Sequence, residues 1–156
     1  MAAPYSVAFL DALGAWIRGW RERPEARDML FAELARFAPA LPAQVRALPR
    51  RCYRKRFLYR GDLVALFVAG SLPESSGTSW TTNRRFAEQF HGAWRDDAVT
   101  GAIFRHRPRR SELVVNIPAL YKDARFEAAV SSYIGRPGKE AEAFKRIGNR
   151  QGEVIL

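Results

Sequence analysis

An α+β fold follows from a change of periodicity near residue 50. Before it, apolar residues recur at helical spacing; after it, short alternating segments are punctuated by turn residues. Between the two, Pro39, Pro42 and Pro49 break the helical pattern without the long polar composition of a linker. The expected organisation is one domain over 1–156. A helical segment over 1–49 caps a strand-rich core over 50–156.

The first helix runs from Tyr5 to Trp20, where Val7, Leu10, Ala12, Leu13, Ile17 and Trp20 return near the helical period. Pro24, tolerated at a helix start, opens a second helix through Phe37, with Glu22 and Glu25 at its positive end. This front segment either caps the sheet or binds a partner such as an inhibitor protein. The densest basic run is Arg50-Arg51-Cys52-Tyr53-Arg54-Lys55-Arg56, cationic at five of seven positions. It suits a charged strand edge that discourages sheet-to-sheet pairing. It equally suits a phosphate-facing stripe on which Tyr53 can stack a base. A strand over Phe57–Arg60 follows, and Asp62 is placed to cap an apolar helix over Leu63–Ala69.

Small and hydroxyl residues from Ser75 to Thr78 then lead into Ser79-Trp80-Thr81-Thr82. That alternation predicts a short strand with Ser79 and Thr81 on one face. Thr82 or Asn83 caps the next helix, whose apolar side carries Phe86, Ala87 and Phe90. His91–Asp97, with Gly92 and Trp94, reads as a loop. Val99–Arg105 and Leu113–Ile117 alternate as strands around the basic turn His106–Arg110. Asp123 caps a helix through Ser131, Gly135–Gly138 is a turn, and Lys139–Arg146 is a short charged helix. The Gly148-Asn149 turn sends Gln151 and Glu153 onto a final strand.

Composition removes several classes. No apolar run approaches the roughly 18 residues a membrane-spanning helix needs, so no membrane partner is expected. The start lacks the basic, apolar and small-residue order of a secretory signal. Cys52 is the single cysteine, which rules out an internal disulfide and fits a cytoplasmic site of action, in the producer or in a target cell. His91 and His106 with one cysteine make no metal spacing, so no metal is expected. No glycine-rich phosphate loop occurs. The net charge is +10, with 22 arginines against four lysines. Arginine holds phosphate and carboxylate through its fork, so the excess fits a dinucleotide, a nucleic acid or an acidic partner. It also fits a GC-rich coding sequence.

Three short pieces stand in a telling order: Tyr59-Arg60-Gly61, then Ser79-x-Thr81 with Ala87-x-x-Phe90 behind it, then Gln151-x-Glu153. From about Tyr53 to Leu156 the chain resembles the Arg–Ser–Glu class of mono-ADP-ribosyltransferases, in its Gln-x-Glu form. The resemblance implies a mixed two-sheet core that binds NAD as substrate, releases nicotinamide and passes ADP-ribose to a macromolecule. It implies Glu153 against the ribose, Ser79 steadying that glutamate, and Arg60 on an NAD phosphate. Gly61 would let backbone grip the nicotinamide amide, and Thr81 would support the pocket. Trp80, Phe86 or Phe90 would wall the nicotinamide ring.

Gln151 departs from the Glu-x-Glu pair that accompanies arginine acceptors. A glutamine amide cannot act as a base toward a guanidinium, but it can donate to and accept from an amide or a nucleobase edge. The implied acceptor is a non-arginine protein side chain or a nucleic-acid base, with NAD hydrolysis as the alternative outcome. Such an enzyme would act as a toxin or effector, with an inhibitor or antitoxin protein as partner. Two further readings stand beside it: a basic nucleic-acid-binding module, and an interaction protein on a degenerate transferase fold.

Overall fold

Five short strands form one antiparallel sheet in the order β3-β1-β2-β5-β4. The computed structural model describes residues 4–22, 24–72, 77–91, 96–146 and 151–156. The expected turn at Gly148-Asn149, the loop residues Gly92 and Trp94, and the lead-in residues Ser75 and Ser76 lie outside them. The strands are β1 (Cys52–Leu58), β2 (Ser79–Thr81), β3 (Thr100–His106), β4 (Val115–Asn116) and β5 (Glu153–Ile155). Helices are α1 (Val7–Glu22), α2 (Arg27–Ala35), α3 (Arg60–Ala69), α4 (Arg84–Gln89), α5 (Ile117–Leu120), α6 (Ala124–Ile134) and α7 (Lys139–Arg146). The fold is α+β, as the change of periodicity predicts. The resemblance implies two sheets, whereas the described strands build one.

Turn chemistry sets where two of these strands stop. Leu113–Ile117 reads as a strand, yet only Val115 and Asn116 pair. The Asn116 side chain accepts the Ala119 N–H, and Pro118 sits in the first turn of α5, so a helix begins where the strand would continue. The same contest moves the end of β1. Asp62 accepts the backbone N–H of Tyr59 at 3.0 Å, which draws Arg60 and Gly61 into α3 and stops the strand at Leu58. Arg60 is therefore the first residue of a helix rather than the last of a strand. Elsewhere the caps fall as expected: Asn83 accepts from Phe86 N, and Asp123 from Arg125 N.

The basic run does not lie on a strand edge. β1 is bordered by β3 along seven paired residues on one side and by β2 on the other. The outermost strand on that side is β3.

The core lies between α1 and the β5 end of the sheet. Phe9, Leu10, Leu13 and Trp16 of α1 are fully buried together with Leu34, Phe126, Val115 and Ile155. The front helix thus supplies a large share of the apolar burial that drives folding. Polar contacts fix it in place. Tyr5 donates to Asp123 at 2.7 Å, Tyr133 donates to Asp11 at 2.5 Å, and Arg18 pairs with Glu140 at 2.8 Å. Among the described residues no helix is long and apolar enough to cross a membrane.

Candidate active site

The site begins with the pairing of β2 and β5. Thr81 stands opposite Glu153 and Ser79 opposite Ile155, so Ser79, Thr81 and Glu153 share one face of the sheet. Glu153 is only 8% exposed, and a carboxylate so enclosed needs hydrogen-bond donors. It has them: Ser79 Oγ donates to Oε1 at 2.5 Å, and the indole N–H of Trp16 donates to the same oxygen at 3.3 Å. Trp16 comes from α1, and the sequence does not single it out; there it reads as one more apolar residue in a helical segment. Its only sequence signal is that a buried indole requires an acceptor.

Two glycines shape the approach. Gly152 has φ of +59°, which turns the chain between Gln151 and the strand. Its carbonyl accepts the Thr82 N–H at 2.9 Å, while Thr81 Oγ1 donates to the carbonyl of Gln151 at 2.5 Å. Gln151 consequently precedes β5 and is clamped to β2 through its backbone. Gly77, with φ of +73°, lies where a Cβ would sit 2.6 Å from the Phe31 ring.

These groups line a cavity of about 270 Å³. Trp16, Ser79, Thr81, Gln151 and Glu153 form its polar side, and Phe86, Ala87 and Phe90, on and just after α4, an apolar side. Phe86 and Phe90 are neighbours, with ring centroids 6.3 Å apart. Three cations also border it: Arg27 at the start of α2, and Arg54 and Lys55 on β1. Lys55 Nζ donates to the carbonyl of Glu88 at 3.0 Å, so its charge is directed toward α4. Trp80 is held by a 2.8 Å bond from its indole N–H to Thr78 Oγ1, and its ring lies 5.4 Å from that of His106.

Of the residues read from the sequence, Ser79, Trp80, Thr81, Phe90, Gln151 and Glu153 all border this one cavity. Arg60 and Gly61 do not. Both are exposed in the first turn of α3, because the Asp62–Tyr59 contact ends the strand before them. On β1, Tyr53 stands opposite Thr81, so Tyr53 and Lys55 alternate onto the face that carries Glu153, while Arg54, at the cavity border, alternates to the other face.

No protein-family model, curated protein or solved structure matches this chain.

The site's own geometry has a definite chemical character. One enclosed carboxylate, oriented by two donors, faces a space with an aromatic wall and a cationic border. That combination suits a ligand with a flat ring, a centre that develops positive charge, and an anionic group. Cys52 takes no part. It is fully buried, its thiol donates to the carbonyl of His106, and burial pushes its pKa up to about 12, far from a reactive thiolate. His106 bonds Glu112 at 2.9 Å, and Glu112 is held below the usual carboxylate range by the Arg109 N–H and by His106. Among the described residues no group of three or more His, Cys, Asp and Glu is arranged to hold a metal.

Proposed function

We propose that the chain is an NAD-dependent mono-ADP-ribosyltransferase of the Gln-x-Glu kind. The observation that carries the reading is Glu153, enclosed and fixed by Ser79 and Trp16, on the wall of a cavity that also presents aromatic rings and cations. Breaking the bond between nicotinamide and ribose leaves an oxocarbenium-like sugar, as in glycoside hydrolysis. A preoriented carboxylate stabilises that charge without reorganising at the moment of reaction. Two donors on Oε1 hold Glu153 in one orientation, and Phe86 and Phe90 offer a surface for the nicotinamide ring. Arg27, on the cavity border, supplies charge for phosphate, the role that the resemblance implies for Arg60.

Gln151 borders the cavity beside Glu153, where an acceptor would enter. Its amide favours an acceptor with both donor and acceptor groups, a non-arginine protein side chain or a nucleobase edge. The +10 charge favours a nucleic-acid acceptor or an acidic protein surface. An enzyme of this kind acts as a toxin or effector and calls for an inhibitor protein in its producer.

The deciding experiment is nicotinamide release from NAD by the purified protein. We expect release by the native chain and a loss of roughly 10²-fold or more in Glu153→Gln, which keeps size but not charge. Undiminished release by that variant would remove the carboxylate from the mechanism.

A further inference from the structure

We infer that the acceptor is a single-stranded nucleic acid laid across the sheet, with one base stacked on Tyr53 beside Glu153 and the backbone held by the arginines that end β3. The inference rests on the proposed role of Glu153 and names the acceptor of that same site. Strand register carries it. Glu153 stands opposite Thr81, Thr81 opposite Tyr53, and Tyr53 opposite Arg105. These four residues form one row across β5, β2, β1 and β3, on one face of the sheet. With neighbouring strands about 4.8 Å apart, the row runs about 14 Å from the carboxylate to the outermost strand.

Tyr53 is half-buried and lines the cavity, across from the Phe86 and Phe90 surface proposed for nicotinamide. Its ring serves a second flat group. Gln151 lines the same cavity, and its amide both donates to and accepts from a base edge. β1 and β5 both run antiparallel to β2, so Gln151, Arg50 and the end of β3 lie at the same end of the sheet. Arg105, Arg107, Arg109 and Arg110 are exposed there, as is Arg50. The only acid between residues 105 and 112 is Glu112, which is engaged by His106 at 2.9 Å and by the Arg109 N–H at 2.6 Å. An aromatic ring that leads out to exposed guanidinium groups can stack a base while the phosphates are held. An acidic protein surface would use the arginines and leave Tyr53 without a flat partner. A duplex would keep its base edges paired, whereas a single strand can splay one out.

The transfer balances with NAD as the only co-reactant. The nicotinamide N1–ribose C1′ bond breaks and its electron pair leaves with nicotinamide, neutralising the pyridinium. An N–H nitrogen of the base bonds to C1′ through its lone pair and gives its proton to solvent.

The test gives the native protein labelled NAD with a short oligonucleotide of mixed sequence, as single strand or as duplex, or with an acidic protein, casein. Nicotinamide release and transfer of label are followed together. We expect label on the single strand at about tenfold or more the level on the duplex or on casein. Label on casein instead, or equal label on the duplex, overturns the inference. So does nicotinamide release with no label on the single strand, a result that leaves the proposed cleavage of NAD standing. If nicotinamide is never released, the proposed function fails and the inference with it. Binding of the same single strand, measured against salt, assigns the contacts. Tyr53→Leu should weaken it roughly 5- to 100-fold with the salt slope unchanged, while Tyr53→Phe, which keeps the ring, stays within about threefold of native. Arg105→Gln with Arg107→Gln, both at exposed positions, should reduce the slope by roughly 1.4, the share of two phosphates. Binding that ignores salt, or that Tyr53→Leu leaves at the native level, would overturn the track from Tyr53 to the arginines.

Discussion

Trp16 illustrates how one atom changes the meaning of a residue. Helical periodicity accounts for its burial in α1 and says nothing of its indole nitrogen, which reaches across 137 positions of sequence to Glu153. Ser79 and Glu153 were legible because strand alternation and their order along the chain needed no long-range information. The place of Arg60 was not, since Tyr59 can end a strand or precede a helix, and Asp62 decides by taking the Tyr59 N–H. Trp16→Phe keeps most of the ring that packs 6.2 Å from Phe31 and removes only the donor. A hydrogen bond to a charged group contributes about 1.5–3 kcal/mol, so kcat for nicotinamide release should fall roughly tenfold or more. KM should change little, because the indole touches the carboxylate rather than an anchoring phosphate. A drop in kcat matched by loss of the folded state in urea would mean that Trp16 merely supports the core.

At the level of elements, two glycines separate a turn that needs glycine from one that does not. Gly152 must hold φ of +59° to swing Gln151 off the strand while Glu153 stays on it, and a Cβ there would lie 2.5 Å from Thr82 Oγ1. Left-handed backbone costs an ordinary residue about 1–2 kcal/mol before any clash is counted. Gly152→Ala should therefore lower unfolding free energy by at least that amount in urea titration. Gly61 is the opposite case. The resemblance implies a close backbone approach to nicotinamide there, but Gly61 lies within α3, and a Cβ added to it would meet nothing within 4 Å. Gly61→Ala should be neutral or stabilise by roughly 0.5–1 kcal/mol through the unfolded chain. A large loss of stability or of NAD cleavage in Gly61→Ala would return that turn to the site. The sequence marks both residues simply as glycine; only the conformation tells a hinge from a helical position.

Across the whole molecule, the setting of the Glu153 carboxylate depends on α1 staying docked, because Trp16 travels with it. The two phenol–carboxylate contacts that hold α1, Tyr5–Asp123 and Tyr133–Asp11, join residues 118 and 122 positions apart, which is why no local reading finds them. Burial, and then the acceptor carboxylates, push both tyrosines well above their ordinary pKa. Arg125, and then Tyr5, hold the Asp123 carboxyl well below its own. The signs follow from which state binds the proton. Asp123 stabilises the fold above about pH 3.9, where the unfolded carboxyl is ionised, and that contribution is lost as pH falls below this value toward the folded pKa. For the raised acids the loss comes on the alkaline side. An unfolded cysteine ionises from about pH 8.5 and an unfolded tyrosine from about pH 10, while the folded groups keep their protons, so stability declines as pH rises. Cys52, with its pKa pushed up to about 12, begins that decline, and Tyr5 and Tyr133 steepen it. Unfolding free energies measured from about pH 7 to 11 should therefore fall in two stages. Cys52→Ala should remove the first stage and Tyr5→Phe should weaken the second. A flat alkaline profile in the native chain would mean that these groups ionise equally in both states, and that α1 is not held by buried phenols.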